Sequence, residues 1–503
     1  MKKLLTLLLA AGMVVSAANG ASAVEMKVSG SWLTSFSFTN NLYGEEGLVD
    51  YKKGDSDGSG HFNAAQRIRI NFDMVASESL SGRVQLEASN GGNVDKKNPG
   101  QYYTWGTNGT GGPGKAVTAR LAYLDWIIPT TDVLVRMGRQ EVAMPSYAFN
   151  SPVFDNVIDG VMVNAPINDM IGVTFGWLRP SATVNKWNEP YTAHSSIDLA
   201  YLSVDVTADG FKVTPWGMIG FAGSNTAAQP WVDKDDKRVE GTFDPGTHRL
   251  EKVDSPYFGV GGRVTGYDAD NARIKYVDSR TLLYWVGIGG ELTIFDPFKF
   301  TADFIYSGND ADGYAERDGW YAALGAEMKT SFATPFVRGW YASGDDADSK
   351  GSNRMLTVDG NGAFDASSIY FDANGLLSAT IDRCDPAGTW GVQAGVKDVS
   401  FIEDLTHALS VTYFQGTNNT NRLNGYDAAW YADKDDVNYM TTADSAWSID
   451  FLSSYKLYQN LTANLLLSYL ITDFDESIRP YGADGKVKFD NAFRGTMNFT
   501  YAF

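Results

Sequence analysis

Apolar and polar residues alternate with a period of two along most of the chain, and the last segment shows this pattern most clearly. In the stretch NAFRGTMNFTYAF at 491–503, one face of the predicted strand collects the apolar residues Phe493, Met497, Phe499, Tyr501 and Phe503. Successive side chains of a β-strand point to opposite faces, so the pattern predicts a strand with one apolar and one polar face. A soluble sandwich could also end on such a strand, so the fold has to be decided from the other segments of the chain.

Eighteen segments with this alternation follow one another, so the predicted fold class is all-β. They lie at residues 27–40, 62–75, 80–89, 117–128, 132–140, 158–165, 169–179, 196–206, 211–221, 282–295, 298–307, 320–329, 332–342, 389–397, 407–416, 446–456, 461–472 and 491–503.

The connections between these segments alternate between short and long. Short connections lie at 77–79, 129–131, 166–168, 208–210, 296–297 and 457–460. Long connections, rich in Asp, Asn, Gly and Ser, lie at 41–61, 91–116, 222–281, 343–388, 417–445 and 473–490. Tight turns at one end and long loops at the other are typical of a transmembrane β-barrel, because lipid forbids an open sheet edge. We therefore predict a transmembrane antiparallel β-barrel of about eighteen strands, with short periplasmic turns and long extracellular loops; sixteen strands is the alternative.

The first 23 residues show the three parts of a secretory signal peptide in the right order. Lys2 and Lys3 are followed by an apolar run and by the small residues Ala-Ser-Ala at 21–23. We predict that residues 1–23 are cleaved and that residues 24–503 form one barrel domain. The net charge of −19 argues against a nucleic-acid partner, and a single cysteine, Cys384, excludes an intramolecular disulfide.

Five arginines occupy the face opposite the apolar residues on the second to fifth predicted strands: Arg67, Arg69, Arg83, Arg120 and Arg136. A lipid-facing arginine near the bilayer midplane costs ~2–4 kcal/mol, so we expect these side chains to point into a water-filled interior. They form either a positive pore wall or a set of structural charges paired with acids such as Asp73 and Glu87. The two interpretations are compatible.

The segment EVAMPSYAFNSPVFDNVIDG after the fifth strand differs in composition from the other long loops, because it is apolar and aromatic. Exposing such a loop to water is unfavourable, so we predict that this third loop folds into the barrel and narrows the pore. Glu141, Asp155 and Asp159 would then face the arginine wall across a constriction and select solutes by charge. A loop tucked against a neighbouring subunit is the alternative.

The signal peptide, the alternating strands, the VRMGRQ segment at 135–140 before the third loop and the terminal Phe503 together resemble a Gram-negative trimeric porin. The family they resemble most is the outer-membrane homotrimeric porin family of sulfate-reducing bacteria. This resemblance implies a homotrimer in the cell outer membrane, among outer-membrane lipid and lipopolysaccharide, that passes small hydrophilic solutes passively. It also implies that Phe503, with Tyr501 and Phe499, is the signal read by the barrel-assembly machinery. The PEFGG-type acidic stretch of enteric porins is missing from the third loop.

The leading hypothesis is a passive channel, not an enzyme, with a weak preference for small anions. The acidic loops favour cations, but at physiological salt charges are screened beyond ~8–10 Å, which leaves the arginine wall as the nearer influence. A lipid hydrolase on a barrel needs a base beside its nucleophile, and the four histidines (His61, His194, His248 and His407) are scattered. A non-conducting structural or adhesive barrel is the other alternative.

No cofactor is expected from the sequence. The acidic pieces at 310–313 and 345–348 offer oxygen ligands that suit Ca²⁺ or another divalent cation, but neither contains the complete twelve-residue calcium loop. Solvated acidic loops are the favoured interpretation, and ions that bridge these loops to lipopolysaccharide are the alternative.

Overall fold

The computed structural model of the chain describes residues 24–41, 49–50, 60–88, 103–104, 117–182, 196–222, 241–244, 249–253, 264–268, 273–276, 281–310, 317–347, 352–358, 364–371, 386–420, 440–475, 488–489 and 491–503. The predicted signal peptide therefore lies outside the described residues. Among the residues described, no helix is long and apolar enough to cross a membrane.

Eighteen long strands, each antiparallel to its neighbours, make up one sheet. They are β1 (Glu25–Asn40), β2 (His61–Ser77), β3 (Leu80–Ala88), β4 (Val117–Ile127), β5 (Leu134–Ala143), β6 (Asp155–Pro166), β7 (Ile171–Ala182), β8 (Ser196–Ala208), β9 (Phe211–Ala222), β10 (Thr281–Phe295), β11 (Phe298–Asn309), β12 (Asp318–Met328), β13 (Thr334–Ala342), β14 (Thr389–Ile402), β15 (Leu405–Gly416), β16 (Ser445–Tyr458), β17 (Leu461–Asp473) and β18 (Ala492–Ala502). The sheet's nineteenth member is the two-residue strand Tyr103–Thr104.

The sheet closes on itself, because β1 pairs with both β2 and β18. The seam continues to the last residue: the Gly30 N–H donates to the Phe503 carbonyl at 2.7 Å, and the Phe503 N–H donates to the Gly30 carbonyl at 3.0 Å. The predicted eighteen-stranded antiparallel barrel is confirmed, and the alternative of sixteen strands is excluded. Each predicted segment corresponds to one strand, and the largest shift is at β14, which runs on to Ile402.

Three short pairs of strands lie outside the barrel sheet. One joins Val49–Asp50 to Lys488–Phe489 and so connects two of the long loops. The other two belong to the connection between β9 and β10: Gly241–Asp244 with Arg249–Val253, and Val264–Asp268 with Arg273–Tyr276.

The outer wall of the barrel is apolar and exposed. Val286 of β10 is 61% exposed and Leu324 of β12 is 69% exposed, although both lie within strands rather than at their ends. Aromatic side chains form rows towards the long-loop end, as in Trp320–Tyr341 and Tyr413–Trp447, whose ring centroids are both 4.9 Å apart. A closed sheet with an apolar outer wall and aromatic rows is the arrangement of a transmembrane barrel.

Candidate permeation site

The inner faces of β2–β5 carry a ladder of paired charges, which we call the ladder wall. Arg69 of β2 donates from Nε to Glu87 of β3 at 2.7 Å. Arg83 of β3 holds Asp73 of β2 through two hydrogen bonds of 2.6 and 3.1 Å. The partners in each pair lie directly opposite each other in the β2–β3 register, so their side chains leave the sheet on the same face.

The same pattern continues across β4 and β5. Arg136 holds the Asp125 carboxylate in a two-pronged contact of 2.7 and 2.8 Å, and its guanidinium lies 4.1 Å from the ring centroid of Tyr123. Arg120 donates to Gln85 at 3.0 Å and to Glu141 at 2.6 Å. Arg67 lies opposite Leu33 of β1, on the same face as the others.

The predicted inward orientation of the five arginines therefore agrees with the strand register, and acidic partners accompany them as the paired-charge interpretation expected. Solvent still reaches the ladder, since the Arg83 and Arg136 side chains are 37% and 32% exposed. The Glu141 side chain is 60% exposed at the end of β5. The ladder wall is thus polar, hydrated and close to electrically balanced.

The segment 144–154 between β5 and β6, here called the first inward segment, crosses the barrel. The backbone N–H groups of Tyr147 and Ala148 donate to the Asp303 carboxylate of β11 at 2.7–3.0 Å. The Tyr147 hydroxyl contacts Thr214 of β9 at 2.6 Å, and Thr214 in turn donates to Asp205. These strands form the wall opposite the ladder, so the prediction that this third loop folds inside the barrel is confirmed.

The three acids assigned to the constriction require correction. Glu141 belongs to β5, and Asp155 and Asp159 belong to β6, so all three border the first inward segment instead of lying on it. Of the three, Glu141 contacts a ladder arginine. Asp159 alternates with the buried Ile158 and pairs with Arg139 at 3.1 Å on the outer face of the barrel. Asp155 lies on the same face as Asp159, so neither acid faces the arginines across the pore. Glu141, opposite Val157 in the register, shares that face, and its carboxylate reaches Arg120 from the end of β5.

Two further pieces of the chain, 352–358 and 364–371, also enter the barrel and were not predicted from the sequence; together we call them the second inward segment. The Leu356 carbonyl accepts the indole N–H of Trp285 at 2.8 Å, and the Ala366 carbonyl accepts Thr412 Oγ1 at 2.6 Å. The Val358 N–H donates to the Val153 carbonyl, which joins this second inward segment to the first.

The two inward segments pack into one apolar body, which we call the plug. Phe149 of the first segment lies 4.8 Å from Phe364 of the second, centroid to centroid, and 5.4 Å from Trp340 of β13. Leu356, Phe364 and Phe371 are fully buried. The plug covers the inner faces of strands from β6 to β17, whereas the ladder wall remains partly exposed.

Arg338 of β13 joins both inward segments to the barrel. Its guanidinium donates to the Ala148 carbonyl and to the Asp365 carbonyl, both at 3.0 Å, and to Gln393 of β14 at 2.6 Å. It also lies 4.2 Å from the ring centroid of Phe149. The sequence left the orientation of this residue open because Phe336, Arg338 and Trp340 share one face, and the structure places that face inside.

Two glycines of β10 leave space on the inner face of the strand for side chains of the plug and of the neighbouring strands. A Cβ atom on Gly287 would lie 2.4 Å from the Trp216 ring, and one on Gly289 would lie 2.4 Å from the Asp303 carboxylate and 2.8 Å from the Tyr147 ring. The inner face of this glycine-rich strand is therefore closely packed.

A second charge ladder lies towards the short turns, on the inner faces of β10–β14. Lys299 contacts Glu327 at 3.2 Å and Glu291 at 3.7 Å, and Lys397 contacts Glu327 at 2.6 Å. These side chains remain partly exposed. The lumen between the plug and the turns is therefore lined by balanced charges on two opposite walls.

Acidic loop residues that suggested a divalent cation have structural hydrogen bonds. Asp310 accepts the Leu282 N–H at 2.6 Å. Asp345 accepts Ser352 Oγ at 2.7 Å and the Asn353 N–H at 2.9 Å. Asp346 is described and also has an interaction partner, whereas the acids at 312 and 348 lie outside the described residues. No cluster of three metal-ligating side chains is found in the part of the chain that is described.

The histidines offer little for a hydrolase. His407 stacks against Phe451 with centroids 5.9 Å apart, and Leu409, two residues on, is exposed on the outer wall. His194 and His248 lie outside the described residues, as does the side chain of His61. A base beside a nucleophile is therefore not seen among the described histidine side chains.

The aromatic residues predicted to act as an assembly signal lie at the seam. Phe503 and Tyr501 stack with centroids 5.7 Å apart, and both are exposed on the outer face of the barrel beside β1. Phe499 follows on the same face of β18, where it pairs in register with Thr34. Their role as a signal stays a prediction.

No protein-family profile matches the chain, and no curated protein matches it. Among solved structures, Pseudomonas aeruginosa OpdO superposes with a TM-score of 0.49 at 9% identity, over 95% of this chain and 97% of that chain. The outer membrane protein OprD of P. aeruginosa gives 0.49 at 10% identity, over 95% and 94% of the two chains. P. aeruginosa OccK2 (OpdF), solved in complex with glucuronate, gives 0.49 at 9% identity, over 95% and 98%. Identities and superpositions at this level carry no argument about family, substrate or assembly, and the strand count and closure rest on this chain's own hydrogen bonds.

Proposed function

We propose that this protein is an outer-membrane channel through which small hydrophilic solutes and ions diffuse passively. The observation that carries the proposal is the hydrated ladder wall inside a closed barrel whose outer wall is apolar. A barrel with no aqueous path has no use for partly exposed guanidinium groups on its inner face. The plug then sets the size limit, because it fills the interior opposite the ladder.

We further propose a weak preference for small anions. Five arginines stand on or beside the ladder wall, and four acids accompany them: Asp73, Glu87, Asp125 and Glu141. The remaining N–H groups of a paired arginine still donate to a passing carboxylate or oxyanion, because a guanidinium has five N–H donors in a fixed fork. The acids hold the arginines in place and keep the preference small.

A non-conducting structural barrel is the second candidate, and the plug favours it. The plug seats fully buried aromatic side chains against the inner wall, and a barrel closed in this way would hold a rigid core instead of a path for water. The same measurement decides between the two candidates.

The test is single-channel recording of the purified protein in a planar bilayer under a salt gradient. We expect stepwise conductance with a reversal potential slightly towards anion selectivity. Arg83→Gln should move the reversal potential towards cations, while Arg179→Gln on the outer wall should leave it unchanged as the matched control. Silence from a correctly inserted barrel would reject the channel, and strong cation selectivity would reject the anion preference alone.

The assembly partners also remain proposals. The resemblance to trimeric porins supports a homotrimer, and the apolar outer wall supports contact with outer-membrane lipid and lipopolysaccharide. Light scattering of the detergent-solubilised protein, corrected for bound detergent, measures the protein mass directly. A mass of one chain would reject the homotrimer without affecting the proposed channel.

A further inference from the structure

Four neighbouring strands carry charged residues on the outer face of the barrel, at positions where the flanking strands carry apolar ones. Arg139, Asp159, Arg179 and Asp198 stand on β5, β6, β7 and β8 and form what we call the outer charge row. Arg139 lies opposite Asp159 in the register, and Asp159 lies opposite Arg179. The row therefore crosses the strands in the hydrogen-bonding direction, with alternating sign.

The orientation of the row follows from its neighbours. Ile158 and Leu178, adjacent in sequence to Asp159 and Arg179, are buried against the plug. Trp177, two residues before Arg179, is 44% exposed on the lipid-facing wall. Since side chains alternate along a strand, the charged side chains share the outer face with Trp177.

The contacts within the row are specific but leave donors available. Arg139 Nη1 donates to Asp159 at 3.1 Å, and Arg179 Nε donates to Asp198 at 2.8 Å. The Trp177 indole N–H also donates to Asp198, at 3.0 Å, and the Arg179 guanidinium lies 4.9 Å from the centroid of the Trp177 ring. The two arginine side chains are 35% and 38% exposed, so their outer N–H groups face the surroundings of the barrel.

The row lies at the edge of the apolar belt towards the long loops. Asp198 is opposite Phe221 of β9, which is 48% exposed and is in turn opposite Leu282 of β10. On the other side, Arg139 is opposite Ala122 of β4. Aromatic side chains on the outer wall of a barrel mark the level of the lipid headgroups. The row continues this level across β5–β8 with charges in place of apolar side chains.

Stability alone does not account for the row. Exposed ion pairs contribute little to stability, and charged groups on a lipid-facing wall are unfavourable unless they meet polar partners. Two arginine forks flanking a carboxylate present donors for phosphate oxygens and acceptors for hydroxyl or amine groups. A phosphorylated sugar headgroup offers both kinds of group at this depth.

We propose that the outer charge row binds the phosphorylated headgroup of an outer-membrane lipid. Arg139 and Arg179 donate to the phosphate, and Asp159 and Asp198 hold the two guanidinium groups in place. The site takes a membrane lipid, not a soluble anion, because the exposed Trp177 below the row and the exposed Phe221 beside it provide an apolar surface for acyl chains. This inference rests on the proposed location in the outer membrane and is independent of conduction.

The test is native mass spectrometry of the purified full chain titrated with diphosphoryl lipid A, with monophosphoryl lipid A as the comparison. We expect Arg139→Gln with Arg179→Gln to weaken binding of diphosphoryl lipid A about a hundredfold, since each of the two charged hydrogen bonds lost is worth roughly one factor of ten. The matched control is Arg83→Gln with Arg136→Gln on the ladder wall, which should shift ion selectivity and leave lipid binding unchanged.

Asp159→Asn gives a second readout that a purely structural row would not move. Asparagine keeps an acceptor oxygen for Arg139 but removes the negative charge that repels the phosphate, so lipid binding should strengthen severalfold while thermal stability falls slightly. Equal lipid binding by the wild type, the double arginine variant and Asp159→Asn would overturn the proposal. Complete competition by inorganic phosphate would show a soluble-anion site, and a changed subunit count in the arginine variant would show a protein contact; either result also overturns it. Failure to conduct in bilayers, with lipid binding intact, would count against the channel alone.

Discussion

The guanidinium of Arg338 lies 4.2 Å from the ring centroid of Phe149 while it donates to the carbonyls of both inward segments. One side chain of the barrel wall thus fixes the position of the whole plug. We expect Arg338→Met to release both segments, lower thermal stability, and raise the conductance and its noise. Loss of a buried charged donor leaves its acceptors unsatisfied at about 1–3 kcal/mol each, which sets the scale of the stability loss.

Arg338→Lys is the informative companion, because lysine keeps the charge but lacks the planar fork. This variant should recover part of the wild-type thermal stability but only a little of the low-noise conductance of the wild type. If the methionine variant conducts and unfolds like the wild type, Arg338 does not hold the plug.

Asp303 fixes the first inward segment by accepting the backbone N–H groups of Tyr147 and Ala148. Asp303→Asn replaces one acceptor oxygen by a donor facing those N–H groups, so the contact becomes repulsive. We expect larger and more variable single-channel conductance with the barrel intact. Asp310→Asn, at a strand end outside the plug, is the matched control and should record like the wild type. Identical traces from both variants would remove Asp303 from any role in the constriction.

Gly289 of β10, the strand next to that of Asp303, leaves space for the contact between Asp303 and Tyr147. A valine there would place its Cβ 2.4 Å from the Asp303 carboxylate and 2.8 Å from the Tyr147 ring. We expect Gly289→Val to displace the first inward segment and to cost about 1–3 kcal/mol through overpacking. Gly172→Ala is the control, because the nearest atom to its Cβ would be at 3.8 Å. Thermal unfolding, monitored by circular dichroism, measures the stability of both variants.

The paired charges of the ladder wall should shift ion selectivity in opposite directions. Arg83→Gln leaves Asp73 unbalanced and should move the reversal potential towards cations, whereas Asp73→Asn should move it towards anions. Both shifts should shrink in 1 M salt, where the screening length falls to about 3 Å from about 10 Å at 0.1 M. Shifts of the same sign from the two variants would contradict a solute path along this wall.

The position of the first inward segment can be tested by a disulfide. A Cβ atom on Gly325 of β12 would lie 3.8 Å from the Ala148 Cβ, which is the usual separation in a disulfide. In a Cys384→Ser background, Ala148→Cys with Gly325→Cys should therefore oxidise to one cross-linked monomer once the Thr301 side chain rotates away. Ala148→Cys with Gly172→Cys should stay reduced. A missing cross-link in the first pair would place the segment elsewhere.

The strands were predictable because the outer wall has to be apolar wherever it meets the hydrocarbon of the membrane. Residues such as Ile68, Ile70 and Phe72 repeat every second position, and no tertiary detail alters that requirement. The same rule placed the ladder arginines inside. The first inward segment was predictable for a related reason, since Met144, Phe149 and Phe154 have no stable place in water.

The second inward segment escaped prediction because its apolar residues form only short runs, such as 355–356 and 369–371, within the long, largely polar connection at 343–388. Leu356 and Phe371 become informative only when Trp285 and Phe414 are known to face them. Asp155 and Asp159 were misplaced for another reason: β6 begins at Asp155, earlier than the pattern indicates. That extension makes Asp155 part of the strand. Asp159 already lay in the predicted strand at 158–165, and its alternation with the buried Ile158 sends it outward.

The seam between β1 and β18 has a consequence for biogenesis. The hydrogen bonds between Gly30 and Phe503 join parts of the chain that emerge at opposite ends of synthesis. Until they form, the sheet has two unpaired edges that hydrocarbon cannot solvate. The barrel therefore cannot enter the membrane strand by strand on its own. Either ring closure accompanies insertion, or another protein shelters both edges until the last strand arrives.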